Sequence, residues 1–242
     1  MLIPPQSRKL WIRSTVWGLW IFAGALTYHA VRSFSINLVL INRAITFAGL
    51  SLILLSHALS GLSYFWGIGK TKLGYRKPLG VVGFVIVTIH ALISTVIFSD
   101  GLTTLVFFLG NPLPFILSIT VLILFSYMFI ISNFGIPARL GAARWRKLLR
   151  TTGYLAITLI MGHITLLAFA EWRMWFTAFS PVLPPPSLIL VVFSLATLAL
   201  RFALWIAVRN KQHEMHETLD DNHVHQALPS NPSPPASPPP TL

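Results

Sequence analysis

The chain has 242 residues, of which 55% are hydrophobic and only 10% charged, with a mean hydropathy of +0.72. Soluble domains carry roughly 25% charged residues, so this composition excludes an ordinary soluble globule and points to a polytopic membrane protein. The formal charge of +12 would suit nucleic acid only if the cations were gathered on a water-exposed domain, but they fall in short loops between apolar runs.

Residues 1–14 lack the short apolar core and small-residue cleavage site of a signal peptide and read as a cytoplasmic segment ahead of an uncleaved span. Six apolar runs follow, at residues 15–34, 44–66, 79–98, 113–131, 148–170 and 187–208. Each approaches the ~20 residues needed to cross ~30 Å of hydrocarbon. Runs this continuous exclude the alternating strands of an outer-membrane barrel. The expected fold is an all-α bundle of six transmembrane helices over residues 15–208, multi-pass in the cell membrane.

Basic residues alternate between loops. Arg8, Lys9 and Arg13, then Lys70, Lys72, Arg76 and Lys77, then Arg139, Arg144, Arg146, Lys147 and Arg150, then Arg209 and Lys211 fall on one side. The other side has Arg32, Arg43 and Arg173, with Asp100 and Glu171. An excess of Lys and Arg marks the cytoplasmic side, so both termini are expected there. The loop SPVLPPP at residues 180–186 is too rich in proline for helix and re-aims the chain into the sixth run. Residues 209–242, first rich in histidine and acid and then in proline and serine, read as a disordered cytoplasmic tail.

The runs contain no carboxylate, but four of the eight histidines fall within them. His90 is 13 residues after Lys77, His163 is 13 after Arg150, and His57 is 13 before Lys70. Each therefore lies ~20 Å along its helix from a basic residue at the membrane surface, and the three are expected to form one layer near the bilayer midplane. Cysteine is absent, so thiolate zinc and iron–sulfur sites are excluded. Heme iron held by two histidines on facing helices is the commonest use of such a layer in a bundle, with a transition metal or a quinone as alternatives. The plainer alternative is that each imidazole bonds a neighbouring hydroxyl or carbonyl. His57 stands between the two roles, because Ser56, Ser60, Gly61 and Ser63 give it local partners and let another helix approach. His29, three residues from Arg32, reads as interfacial.

Two stretches carry a family resemblance. RKPLGVVGFVIVTIH, residues 76–90, resembles the third-span signature of the ferric reductase-like transmembrane domain: a basic pair, Leu-Gly, a Phe, then a heme histidine. SNFGIPARLGAARWRKLLRTTGYLAITLIMGH, residues 132–163, is similar to that family's fifth span. The resemblance implies a b-type heme with His90 and His163 as axial ligands, and electron transfer across the membrane. Members with two stacked hemes have further histidines where this chain has Arg76 and Arg150, so a second heme of that kind is not expected. Those two arginines become candidate contacts for a heme propionate or a flavin, and His57 a candidate additional ligand.

Only a short tail follows the sixth run, without a GxGxxG turn, so no FAD or nicotinamide domain is expected. In this the chain is similar to the heme-binding membrane subunits of periplasmic methionine-sulfoxide reductase systems, which depend on separate redox partners. The expected function is electron transfer from a cytoplasmic-side flavoprotein or the quinone pool to an acceptor on the outer face. The rivals are a permease and a cofactor-free membrane scaffold. The permease is disfavoured by the absence of intramembrane carboxylates and of an internal repeat. In the tail, His213, His216, His223 and His225 have spacings that arise readily by chance in polar segments, and they are expected to bind metal weakly if at all.

Overall fold

A backbone deprived of water must satisfy its own N–H and C=O groups, and the apolar runs do so as helices. The computed structural model describes residues 5–67, 70–97, 110, 112–133 and 136–227. In chain order the elements are α1 (Pro5–Ser33), α2 (Leu38–Trp66), a 3-10 turn (Lys70–Tyr75), α3 (Arg76–Ile97), α4 (Pro112–Ser132), the short α5 (Ile136–Leu140), α6 (Ala142–Ala178) and α7 (Pro186–Ala227). No strand occurs among the described residues. Asp100 and residues 228–242 lie outside them.

The helix ends follow local chemistry. Asn37 caps α2, its side chain accepting from the Leu40 amide at 2.9 Å. Gly67 closes α2 at φ 67°, a left-handed conformation that favours a residue without Cβ. Proline opens both α4 and α7, where its missing N–H costs no helical bond.

Five helical stretches are long and apolar enough to cross a membrane: Leu38–Trp66, Lys72–Thr95, Pro112–Ser132, Ala142–Ala178 and Pro186–Lys211. The protein is therefore an all-helical, multi-pass membrane protein. The helix over the first expected run, α1, is not among the five. Its uncharged stretch from residue 14 to residue 31 is diluted by Ser14, Thr15, Thr27, Tyr28, His29 and two glycines. It nevertheless runs alongside the others. Near one end Arg13 Nη1 donates to Tyr75 Oη at 3.1 Å, and near the other Arg32 pairs with Glu171 at 2.6 Å, 19 residues or about 28 Å further along.

The chain divides into two compact units, Met1–Arg201 and Phe202–Leu242, with the boundary inside α7. In the first unit α1, α2 and α3 pack together, and α4 packs on α6. At the α2–α3 crossing the backbones approach closely: a Cβ on Gly83 would lie 2.7 Å from the Gly49 carbonyl oxygen and 3.1 Å from the Ile53 amide nitrogen. Small residues allow this in lipid, where dispersion rather than water exclusion joins helices. Beside the crossing, Leu50, Ile53, Val87, Val121, Phe125, Ala156, Ile160 and Leu190 form the main core. The outward face of α4, with Ile116, Ile119, Ile123 and Ile130, is exposed as expected of a face turned to lipid.

In the second unit, α7 continues through Ala227, past residue 209 where the tail was expected to begin. There Phe202 stacks on Trp205 at 5.8 Å, and the Arg209 guanidinium lies 5.5 Å above the Trp205 ring. The side chains of His213, His216, His223 and His225 lie outside what is described.

Candidate functional site

Asn42 on α2, His90 and Ser94 on α3, and His163 on α6 define a polar layer. Ser94 sits four residues after His90, one helical turn on, and its hydroxyl donates back to the His90 carbonyl at 2.8 Å. That leaves its oxygen to accept from Asn42 Nδ2 at 2.9 Å, which turns Asn42 Oδ1 toward His90. The His90 Nδ1–H donates to this oxygen at 3.0 Å. On α6, the His163 Nδ1–H donates to the Pro114 carbonyl of α4 at 2.8 Å.

A carbonyl oxygen can only accept, so the His163 proton is fixed on Nδ1, and the orientation of the Asn42 amide does the same for His90. In both rings Nε2 therefore keeps its lone pair. This is the arrangement of a metal-ligating histidine, whose other nitrogen is held by an acceptor that orients the ring and raises its basicity. The two rings are close enough to feel one another electrostatically. Their helices are not backbone neighbours: α3 lies chiefly on α2, and α6 on α4. No group of three or more His, Cys, Asp or Glu side chains gathers among the described residues.

His57 is not in this layer, and the expectation that all three histidines share a depth is corrected. The Ser56 hydroxyl donates to the Arg76 carbonyl at 2.6 Å, which sets His57 level with the first residue of α3, 14 residues or about 21 Å from His90. Its ring packs into the space left by Gly153 on α6, ten residues before His163, where any Cβ would strike it. Counting from Lys70 misplaced His57 because Lys70 lies in the 3-10 turn that returns the chain to α3, not on the continuation of α2.

Arg201 joins this second layer. It is only 6% exposed, although its side chain carries a charge, and its guanidinium lies 5.6 Å from the Tyr154 ring centroid. Arg76 and Arg201 are both near enough to act on His57, and Arg150 on Arg76. Four buried polar atoms have no hydrogen-bond partner among the described residues: His57 Nδ1, Ser60 Oγ, Thr197 Oγ1 and Arg201 Nε. All four belong to α2 or α7, near where Gly61 of α2 meets Leu200 of α7. Arg201 is thus buried with its Nε unpartnered, in a layer level with Arg76 at the start of α3.

The remaining sequence candidates lie elsewhere. His29 is buried, with Arg32, Arg43 and Glu171 around it. Arg32 also donates to the Leu183 carbonyl at 3.2 Å, and Tyr28 to that of Pro184 at 2.8 Å, so the proline-rich loop is tied to α1. Trp145, Trp172 and Trp175 donate their indole N–H to Ile131 O, Ser187 Oγ and Pro181 O, each at 2.9 Å. A cavity of about 250 Å³ between α1, α2 and α7, lined by Ile21, Tyr28 and Phe47 among others, is apolar and contains none of the candidate ligands.

Comparison of the chain with known protein families and with characterised proteins gives no match. The likeness to the ferric reductase-like domain rests on the residues alone.

Proposed function

We propose that the chain is a transmembrane electron-transfer subunit holding a b-type heme between His90 and His163. One observation carries this reading. Two imidazoles on separate helices each have Nδ1 tied to an oxygen, which leaves an Nε2 lone pair on each of two interacting rings, with no group of three or more ligating side chains among the described residues. That donor set fits bis-histidine ligation of a porphyrin iron.

When bound, a heme supplies one-electron chemistry at low reorganisation cost; the chain orients the ligands, excludes water and tunes the potential through burial and ligand basicity. Asn42 and Pro114 perform the orienting. The helix α1 completes a six-span bundle, supported by its 28 Å run beside the other helices, and both termini lie in the cytoplasm, supported by the clustering of loop cations at one end. The electron donor is a separate flavoprotein or a quinol, and the acceptor lies on the outer face. Arg76 and Arg150, 14 and 13 residues before the ligands, lie about 21 and 20 Å along their helices from them.

The test is a visible spectrum and heme stoichiometry of the full-length protein produced with heme supplied. A redox-active Soret band with split α and β bands is expected in the wild type and in His57→Ala, and its loss in His90→Ala and His163→Ala. A colourless wild-type preparation rejects the proposal.

A further inference from the structure

The second polar layer has features of a binding site that the heme reading does not use. Arg201 is nine-tenths buried, and its Nε has no acceptor. Within the Met1–Arg201 unit, the one carboxylate among the described residues is Glu171, which pairs with Arg32 beside the proline-rich loop. Around Arg201 there are instead more donors. Thr197, one turn earlier on α7, and Ser60, one turn after His57 on α2, each bury a hydroxyl without a partner. His57 Nδ1 is unpartnered as well. The mouth of this group is open: Arg76 at the start of α3 and Arg150 on α6 are both exposed. Exposed cations at one end and unpartnered buried donors at the other therefore form a group that is short of acceptors.

We propose that His57, Ser60, Thr197 and Arg201, with Arg76 and Arg150 at the rim, form a binding site for a phosphate group. A guanidinium fork matches two phosphate oxygens, and hydroxyls donate to a third. Phosphate also carries the negative charge that the buried Arg201 guanidinium lacks. A soluble phosphate monoester and the phosphodiester headgroup of an anionic lipid present the same chemistry. The open rim lies where the basic loops meet the bundle, which is accessible to both. The site is about 21 Å along α3 from His90, and it does not depend on heme being bound there.

The test is equilibrium binding to the purified full chain in neutral detergent at ionic strength fixed with potassium chloride. The probes are inorganic phosphate and phosphatidylglycerol in mixed micelles, with diacylglycerol as the phosphate-free control. Saturable one-to-one binding of at least one phosphate probe is expected. It should weaken at least tenfold in Arg201→Gln and remain unchanged in Arg173→Gln, which removes an exposed charge outside the site. Binding of phosphatidylglycerol alone identifies a lipid headgroup; binding of inorganic phosphate identifies a soluble ligand. The double variant Ser60→Ala with Thr197→Val keeps every charge and should bind about threefold more weakly. If Arg201→Gln does not fold, this variant decides, and wild-type affinity in it overturns the proposal. Binding of neither probe above the control, or undiminished binding in a folded Arg201→Gln, also overturns it.

Discussion

Around His90, the amide, the hydroxyl and both Nδ1 atoms meet partners, whereas about 21 Å away around His57 four buried polar atoms meet none among the described residues. The two layers share α2, α3 and α6, so the contrast is not one of location in different folds. It is a contrast between groups whose protons are already assigned and groups whose bonds are unfilled. Fixed acceptors at Asn42 and Pro114 turn two imidazoles into oriented electron-pair donors. Orphaned donors at Arg201 and Thr197 hold nothing in place, and they repay their burial only when an acceptor arrives.

The sharpest way to break this contrast is to remove the oriented imidazoles. His90→Ala or His163→Ala should abolish the low-spin heme spectrum, and His57→Ala should retain it; equal loss in all three would merge the layers again. A smaller effect is expected from the acceptor. Asn42→Leu keeps His90 but frees its Nδ1, and heme affinity measured by titration should fall about 10- to 100-fold, the usual cost of losing such a partner. Between the layers, Gly83→Val forces a side chain against the Gly49 carbonyl and should cost about 1–3 kcal/mol in unfolding experiments, affecting both layers together. The least effect is expected at the far end. Arg32→Gln breaks the ion pair with Glu171, whose partners are 14% and 29% exposed, and should lower stability by about 1 kcal/mol or less without changing the spectrum.

Much of the helical layout was legible because length and continuity of apolar residues suffice to specify helices in lipid. The third and fourth runs match α3 and α4 to within about three residues. The other helices overrun their apolar stretches, because a helix need not stop where its side chains become polar. The largest case is α7, which continues to Ala227, 19 residues past its run. For the same reason Asn42 escaped notice: it lies two residues ahead of the second run, yet it is the acceptor that orients His90.

Arg201 was missed for a different reason. Assigning basic residues to loops accounts for every Lys and Arg except this one, which sits within the run at residues 187–208. A lone cation in ALRFALW was the available signal. The depth of His57 could not be read from spacing, because the return path of the 3-10 turn is a tertiary fact. The likeness to a heme-binding family separates His90 and His163 from His57 and marks Arg76 and Arg150, but it contains nothing about Ser60, Thr197 or Arg201.

The backbone contact of Gly49 with Gly83 lies seven residues along α3 from each layer, roughly 10 Å either way. Rocking α3 by 10° about that point would displace Arg76 and His90 in opposite directions by about 2 Å each, and hydrogen bonds to α2 oppose it on both sides, from Ser56 to the Arg76 carbonyl and from His90 to Asn42. A crossing with a bond on either side holds Arg76 and His90 in one fixed relation along α2.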